Sequence, residues 1–251
     1  MSTFKNYSAY YDLIYHNKNY RQEAKYMHQL IKKNHPNAKT ILNLGCGTGK
    51  HDVEFIKLGY DVIGIDLSYE MIEIANSNVL PKQKLKFLRG DIRTIRLKKK
   101  FDVVVSLFHV MSYQTSNEDF LSSLETAKLH LNKNGLLIFD CWYGPNVLTD
   151  IPVKKNKQVE NSELIILRKA IPKMHYNRNI VDVHYDITVK DKASLKTKVI
   201  KEKHSVRYFF QPELELFYKI TKLFPIAFYK WLTWEKPDEN SWSLLQILRN
   251  S

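Results

Sequence analysis

The sequence has few cysteines and no long apolar run. Only Cys46 and Cys141 occur among its 251 residues, and they form neither a disulfide framework nor a zinc-binding pattern. No stretch approaches the roughly 18 apolar residues of a membrane-spanning helix, and the first residues lack the apolar core of a signal peptide. These absences predict a protein of a reducing, cytoplasmic setting with no membrane partner.

Acidic residues are also scarce. Lys and Arg total 39 against 26 Asp and Glu, a formal net charge of +13, which is compatible with nucleic-acid binding. The basic residues are scattered, however, and the longest run, at positions 98–100, precedes a predicted strand and is expected to be a solvated loop. A small anionic substrate, such as a nucleotide diphosphate, would exploit the same field.

Glycine is rare, yet three of the eight glycines fall within five residues. The apolar segment Thr40–Leu44 leads into Gly45, Gly47 and Gly49, and Asp66 closes the next apolar segment. A strand, a glycine turn, a helix and a strand ending in an acid are typical of a nucleoside-binding βαβ unit, in which the acid accepts hydrogen bonds from ribose hydroxyls. No Gly-Lys-Ser/Thr sequence follows, so a phosphate-binding P-loop is disfavoured.

Strands and helices alternate over the first 142 residues. Hydrophobic residues make up 44% of the chain, enough for the core of one large α/β domain. The alternation favours a right-handed, parallel, doubly wound sheet. The five predicted strands cover residues 40–44, 60–65, 86–91, 101–108 and 135–141.

The pattern changes after residue 142. Three segments, 163–172, 175–190 and 195–210, look extended, and residues 181–187 show the period of two that suits a half-exposed antiparallel sheet. A helix over 213–223 and a final strand pair, 226–234 and 242–249, follow. The predicted fold is therefore α/β: a Rossmann-like, seven-stranded, mostly parallel, doubly wound sheet with an inserted antiparallel β subdomain.

The N-terminal segment is rich in aromatic residues. It predicts a helix packed on the sheet, a lid with tyrosine hydroxyls facing a ligand, or both, since a tyrosine can pack its ring and still present its oxygen. We expect this lid or helix over residues 1–39, a core over 40–150 and 211–251, and the inserted sheet over 151–210. The aromatic residues are Phe4, Tyr7, Tyr10, Tyr11, Tyr15 and Tyr20.

Three motifs together resemble those of class I methyltransferases that use S-adenosyl-L-methionine (SAM). They are residues 42–49, residues 64–68 with Met71, and residues 90–92. Within this superfamily the chain is similar to the N-methyltransferases of nucleotide-linked (dTDP) amino-deoxysugars, through residues 11–15, 90–97, 105–113 and 140–145. The resemblance covers nearly the whole chain and implies SAM as the cofactor.

The resemblance also implies a role for each cofactor contact. Asp66 would accept hydrogen bonds from the ribose hydroxyls, Met71 would pack on the adenine, and Asp91 would receive the adenine amine. Asn43 stands where the superfamily usually has an acid, although an amide oxygen still accepts a hydrogen bond. The implied cofactor-binding residues are Tyr20, Asn43, Gly45, Cys46, Gly47, Gly49, Asp66, Leu67, Met71, Asp91, Ile92 and Leu107.

The expected reaction is an in-line displacement at the sulfonium methyl by a neutral amine nitrogen. Positioning can supply most of the acceleration, and the amine must shed its proton. By resemblance, Tyr15 and Tyr113 orient the amine and the sugar. His109, just beyond strand four, could relay a proton, although a lone histidine is more often structural.

Five further residues are candidates for substrate contacts. Trp142 and Tyr143, past strand five, either wall the acceptor pocket or belong to the core. Arg178, His184 and Arg207 could meet the phosphates of a nucleotide sugar, for which arginine offers a bidentate fork. A solvated sheet face is the alternative for each of these three.

Other functions stay open. The enzyme could methylate another small molecule at nitrogen or oxygen. RNA is a further acceptor class, but residues 106–109 replace the Asn-Pro-Pro-Tyr-type motif of base methylation. A non-catalytic SAM-binding protein is the third alternative. No metal is expected, and a homodimer stays open.

Overall fold

The computed structural model describes residues 8–81 and 83–250. Phe4 and Tyr7, which the sequence assigns to the aromatic lid, lie outside the described residues. Within those two ranges, no helix is long and apolar enough to cross a membrane.

Seven strands form the central sheet in the order β3-β2-β1-β4-β5-β11-β10. The first five are parallel, and β11 runs antiparallel to both of its neighbours. The predicted mostly parallel, doubly wound sheet is therefore confirmed. The strands are β1 (Thr40–Leu44), β2 (Asp61–Asp66), β3 (Leu85–Arg89), β4 (Phe101–Ser106), β5 (Leu131–Tyr143), β10 (Leu223–Lys230) and β11 (Ser243–Asn250).

Helices cover both faces of this sheet, which explains why a central strand such as β4 is apolar along most of its length. They are α1 (Ser8–Ile14), α2 (Tyr20–Asn34), α3 (Lys50–Lys57), α4 (Tyr69–Ser77), α5 (Asn117–Leu129), α6 (Gly144–Thr149) and α7 (Gln211–Thr221), with 3₁₀ turns at Val110–Tyr113 and Tyr176–Arg178. Ile41, Val103 and Ile138 belong to one buried cluster, with residues of α2 and α3. Leu42 and Phe139 belong to the other, with residues of α5 and α7.

An antiparallel sheet branches from the carboxyl end of β5. Its strands are β6 (Lys155–Glu160), β7 (Leu164–His175), β8 (Ile180–Asp191) and β9 (Thr197–Phe209). Strand β9 pairs in parallel with Trp142 and Tyr143 of β5. One face of this sheet packs on α1, where Ile14 joins Ile166 and Ile187.

The inserted sheet has four strands where the sequence pattern indicates three. Strand β6 reads Lys-Asn-Lys-Gln-Val-Glu, and among its residues Val159 alone is a buried apolar residue, so it carries no period-two signal. Strand β7 continues past Pro172 to His175, and β8 begins only at Ile180. A turn ending at Asn179, with φ of 54°, separates the two strands.

Candidate active site

A cavity of about 490 Å³ lies between the carboxyl ends of the core strands and one face of the inserted sheet. Ligands of open α/β sheets bind at this edge. Most of the residues that the sequence analysis selected reach the cavity, although their roles stay predictions. They are Tyr15, Tyr20, Gly45, Cys46, Gly47, Asp66, Leu67, Met71, Asp91, Ile92, Leu107, His109, Tyr113 and Trp142.

The glycine loop brings its backbone to the cavity wall. Gly45 has φ of 85°, and a Cβ added there would overlap the Val110 side chain. Gly47 has φ of 55°, and an added Cβ would meet no protein atom within 4 Å. Since Gly47 lines the cavity, that open space is available to a ligand approaching the backbone.

Asp66 connects this loop to the end of β2. Its Oδ2 accepts a hydrogen bond from the Gly47 N–H at 2.9 Å, and its Oδ1 accepts one from the Ser68 N–H at 2.9 Å. Burial raises the pKa of Asp66, and these two N–H groups offset part of the rise. An ionised carboxylate has about four lone-pair sites, so Asp66 can still accept from two ligand hydroxyls.

Asp91 is held by an arginine that the sequence analysis did not select. The Arg93 guanidinium donates to both carboxylate oxygens, with Nε at 2.9 Å from Oδ1, and Arg93 Nη1 also donates to Asp119 at 2.8 Å. Hydrogen bonding by Arg93 lowers the pKa of Asp91. Asp91 is therefore an ionised acceptor at the cavity wall.

Two predicted cofactor contacts, Asn43 and Gly49, do not line the cavity, and their role stays a prediction. Asn43 is 1% exposed, and its Nδ2 donates to Asp52 Oδ2 at 2.8 Å, beneath the glycine loop. Burial raises the pKa of Asp52 to about 8, against the opposing effect of the Asn43 hydrogen bond. Gly49 is the residue that precedes α3, and its Cα faces Phe87.

Arg178 and His184, two predicted substrate contacts, do not line the cavity either. Arg178 lies exposed in the turn between β7 and β8. His184 is exposed on β8, whereas the next residue, Tyr185, lines the cavity. Successive side chains of a strand point to opposite faces, so His184 lies on the outer face of the inserted sheet.

Tyr143 and Arg207, two further predicted substrate contacts, pack outside the cavity. Tyr143 packs against the buried cluster beneath α5 and α7, while its neighbour Trp142 lines the cavity. Arg207 is 8% exposed; its Nη1 donates to Asn117 at 2.9 Å, and its Nη2 lies 3.4 Å from Glu213. The guanidinium of Arg207 thus ties β9 to α5 and α7.

His109 is fixed by a buried acid. The His109 N–H donates to Asp140, and its Nδ1 lies 2.8 Å from Asp140 Oδ2. Asp140 is 1% exposed and also accepts from the Ser243 hydroxyl at 3.2 Å. Burial alone would raise the pKa of Asp140, but the His109 imidazole and N–H, with Lys18, bring that pKa below its ordinary value.

Helix α1 closes one side of the cavity. Asp12 accepts from the Thr48 hydroxyl at 2.8 Å and lies 3.1 Å from Lys50 Nζ, which connects the helix to the glycine loop. Just past the C-terminal end of α1, the Tyr15 hydroxyl accepts from Arg168 Nη1 of β7 at 3.1 Å. These contacts join α1 to both sheets and place Tyr15 over the cavity.

Tyr113 faces the inserted sheet across the cavity. Its hydroxyl lies 2.9 Å from His204 Nδ1, and His204 Nε2 lies 3.0 Å from Glu202 Oε2. The sequence analysis missed His204 and Tyr185, which both line the cavity. A signal was present, since Glu202 and His204 interrupt a strand phase whose other residues are Ile200, Val206 and Tyr208.

Comparison with known proteins finds similarity to methyltransferases. A family described as a methyltransferase domain matches residues 41–135. The dTDP-3-amino-3,4,6-trideoxy-alpha-D-glucopyranose N,N-dimethyltransferase of Streptomyces venezuelae is 28% identical over 82% of this chain and 84% of its own length. The dTDP-3-amino-3,6-dideoxy-alpha-D-glucopyranose N,N-dimethyltransferase of Streptomyces fradiae is 25% identical over 82% and 78%.

A solved structure has the same fold. It is SAM-bound CalS10, an amino pentose methyltransferase from Micromonospora echinaspora, with a TM-score of 0.78 and 20% sequence identity. The superposition covers 100% of this chain and 99% of CalS10. The inserted antiparallel sheet therefore belongs to the shared architecture and not to this chain alone.

Proposed function

We propose that this chain, a class I SAM-dependent methyltransferase, methylates the amino group of a nucleotide-activated amino sugar. Two relatives with which it aligns over 82% of its length are named as N,N-dimethyltransferases of dTDP-linked amino sugars. The observation that carries the proposal is one cavity with two chemically different ends.

The donor end, formed by the glycine loop, Asp66 and Asp91, fits SAM. Gly47 leaves open space beside the loop, and Asp66 has lone pairs for the ribose hydroxyls. Asp91 is ionised and suits the adenine amine, while Met71 and Ile92 offer apolar contact to the ring. When bound, SAM supplies an electrophilic methyl group on a sulfonium sulfur.

The acceptor end is lined by phenols and an indole, which suit a sugar with an amine. Trp142 offers a flat apolar surface to a sugar ring, and Tyr15, Tyr113 and Tyr185 offer hydroxyls to its polar groups. Burial raises the pKa of Tyr113 well above its usual value, so its phenol is neutral and can both donate and accept. These residues would hold the amine nitrogen near the methyl group, and this positioning supplies most of the acceleration.

A second candidate is methylation of a small amine that carries no nucleotide. It is favoured by the placement of Arg178 and Arg207 outside the cavity. The lysine and arginine that line the cavity are Lys50 and Arg93, and both lie at the donor end. The phosphates of a nucleotide sugar would then need to reach these residues or bind at the cavity mouth.

An acceptor panel separates these functions. The protein and SAM are incubated with dTDP-linked 3-amino and 4-amino sugars, the same sugars without nucleotide, and total RNA, and products are identified by mass spectrometry. The proposal predicts methylated dTDP-linked sugars and much slower reaction of the free sugars. Faster reaction of the free sugars would favour the second candidate, and methylation of RNA alone would rule out both.

We also propose the division into domains given by the sequence and a cytoplasmic location, and a homodimer stays open. Cys46 and Cys141 are buried free thiols, as is compatible with a reducing compartment. Limited proteolysis should cut near residues 150 and 211 if the inserted sheet is a separable unit. Light scattering distinguishes a homodimer from a monomer.

A further inference from the structure

Strand β9 places two polar side chains on the face of the inserted sheet that packs against the cavity. Alternate residues of the strand, Ile200, His204, Val206 and Tyr208, are buried, and Glu202 shares their phase because strand side chains alternate. His204 is 3% exposed. A buried polar group is costly unless it is hydrogen-bonded, so we expect hydrogen-bond partners for Glu202 and His204.

Those partners form a continuous chain that ends at the cavity. Tyr113 Oη lies 2.9 Å from His204 Nδ1, and His204 Nε2 lies 3.0 Å from Glu202 Oε2. An ionised glutamate only accepts, so Nε2 carries the imidazole proton and Nδ1 presents a lone pair to the phenol. Tyr113, which lines the cavity, then donates its hydroxyl proton to His204.

The surroundings favour passage of a proton along this chain. Glu202 supplies a negative charge next to the imidazole, on the side away from the cavity. The Tyr185 ring of β8 packs edge-on against His204 at 4.9 Å, and Tyr15 of α1 and Arg168 of β7 stand behind Tyr185. Burial, with Tyr185, Tyr15 and Glu202 nearby, raises the pKa of Tyr113, so this phenol passes a proton on and does not store a negative charge.

We propose that Tyr113, His204 and Glu202 form a relay that removes the proton from the acceptor ammonium group; this rests on the proposed N-methylation. The ammonium N–H gives its proton to Tyr113 Oη as the Tyr113 hydroxyl proton moves to His204 Nδ1, which leaves an imidazolium paired with Glu202. The neutral nitrogen then uses its lone pair to form the N–C bond, while the C–S bond breaks and sulfur keeps the electron pair. The relay proton returns to water when the product leaves.

Tyr113 touches the substrate in this scheme, whereas His204 and Glu202 are positioning residues that act through it. His109 also lines the cavity, but its Nδ1 lies 2.8 Å from Oδ2 of the buried Asp140, so His109 holds the loop after β4. The relay therefore assigns to His204 the proton-handling role that the sequence suggested for His109.

The test compares two acceptors in one set of variants. One acceptor is a dTDP-amino sugar, and the other carries an aminooxy group, which is neutral at neutral pH and needs no deprotonation before attack. The variants are His204→Gln, Glu202→Gln and Tyr113→Phe, with His184→Gln as the matched control on the outer face of β8. SAM affinity and thermal stability of each variant confirm that it is folded.

The relay predicts that His204→Gln lowers turnover of the amine about 100-fold but changes turnover of the aminooxy sugar by less than about threefold. The loss on the amine should shrink as pH rises, because free amine then enters without help. Independently of activity, ¹⁵N NMR should find His204 protonated at Nε2 in the wild type. His184→Gln should match the wild type throughout.

Equal losses of His204→Gln on both acceptors would mean a structural role and overturn the relay while leaving the N-methylation intact. Full activity of His204→Gln on the amine, or a wild-type imidazole protonated at Nδ1, would overturn it in the same way. A wild-type protein that methylates no amine would instead overturn the proposed function, and the relay with it.

Discussion

The backbone N–H of Gly47 donates a hydrogen bond to Asp66 Oδ2 at 2.9 Å. This bond joins the tip of the glycine loop to the acid that ends β2, so the two motifs of the donor end form one rigid unit. A ligand that bonds to Asp66 is thereby placed against the loop backbone.

Replacing Asp66 should weaken SAM binding selectively. Asp66→Asn removes the charge that accepts from the ribose hydroxyls, and hydrogen bonds to charged groups are worth about 1.5–3 kcal/mol, or roughly 10- to 100-fold in affinity. Titration calorimetry with SAM measures the change. Asp150→Asn, at an exposed position outside the cavity, is the control and should bind as the wild type does.

A methyl group at Gly47 should block the cofactor more than it harms the fold. Gly47→Ala places Cβ in the open space of the cavity, and the positive φ costs about 1–2 kcal/mol. Gly59 also has positive φ, 90°, with nothing within 4 Å of an added Cβ, but it follows α3 outside the cavity. Gly59→Ala should lose similar stability and keep its SAM affinity; equal loss of affinity in both variants would contradict this account of the loop.

Helix α1 should control the escape of the cofactor. Asp12→Ala removes the contacts to Thr48 and Lys50, so SAM should dissociate about fivefold faster, in line with the loss of about 1 kcal/mol. Stopped-flow displacement of SAM measures the rate. Asp61→Ala breaks the exposed pair with Lys84 at 3.2 Å and should leave the rate unchanged.

Stability should fall as pH rises from about 4 to about 8, through Asp52. Burial raises its pKa to about 8 in the folded protein, whereas an unfolded aspartate has a pKa of about 3.9. Between these values the native state holds a proton that the unfolded state has lost, so each pH unit lowers the free energy of unfolding by up to ~1.4 kcal/mol. Urea unfolding at several pH values measures the slope.

Asp52→Asn isolates this contribution. The amide cannot ionise, so the variant should have a flatter pH dependence than the wild type over the same interval. Asp191→Asn, at the end of β8, is the control and should keep the wild-type slope there. An unchanged slope in Asp52→Asn would show that Asp52 is ionised in the folded protein.

The donor end could be predicted from the sequence because its contacts are local. Asp66 lies 19 residues from Gly47, within a single βαβ unit whose geometry is fixed by alternating strand and helix. The pairing of Asn43 with Asp52 could not be predicted, because the direction of a buried strand side chain depends on its partner in α3, which no motif marks.

The acceptor end could not be predicted in the same way. Tyr113 and His204 are 91 residues apart, and their contact depends on how the inserted sheet attaches to β5. A strand places alternate residues on opposite faces, so an error of one residue exchanges Tyr185 for His184. The available signal was the polar His204 among apolar residues on the same face of β9. Its meaning depends on which face of the strand is buried.

The proposed reaction transfers a methyl group from SAM to the nitrogen of a nucleotide-linked amino sugar. The most direct measurement supplies SAM labelled with ¹³C in its methyl group to the wild-type protein, with a dTDP-amino sugar and RNA present together, and follows the label by NMR. We expect a new N-methyl signal on the sugar nucleotide. Label on a sugar oxygen, label on RNA, or SAM binding without transfer would contradict it.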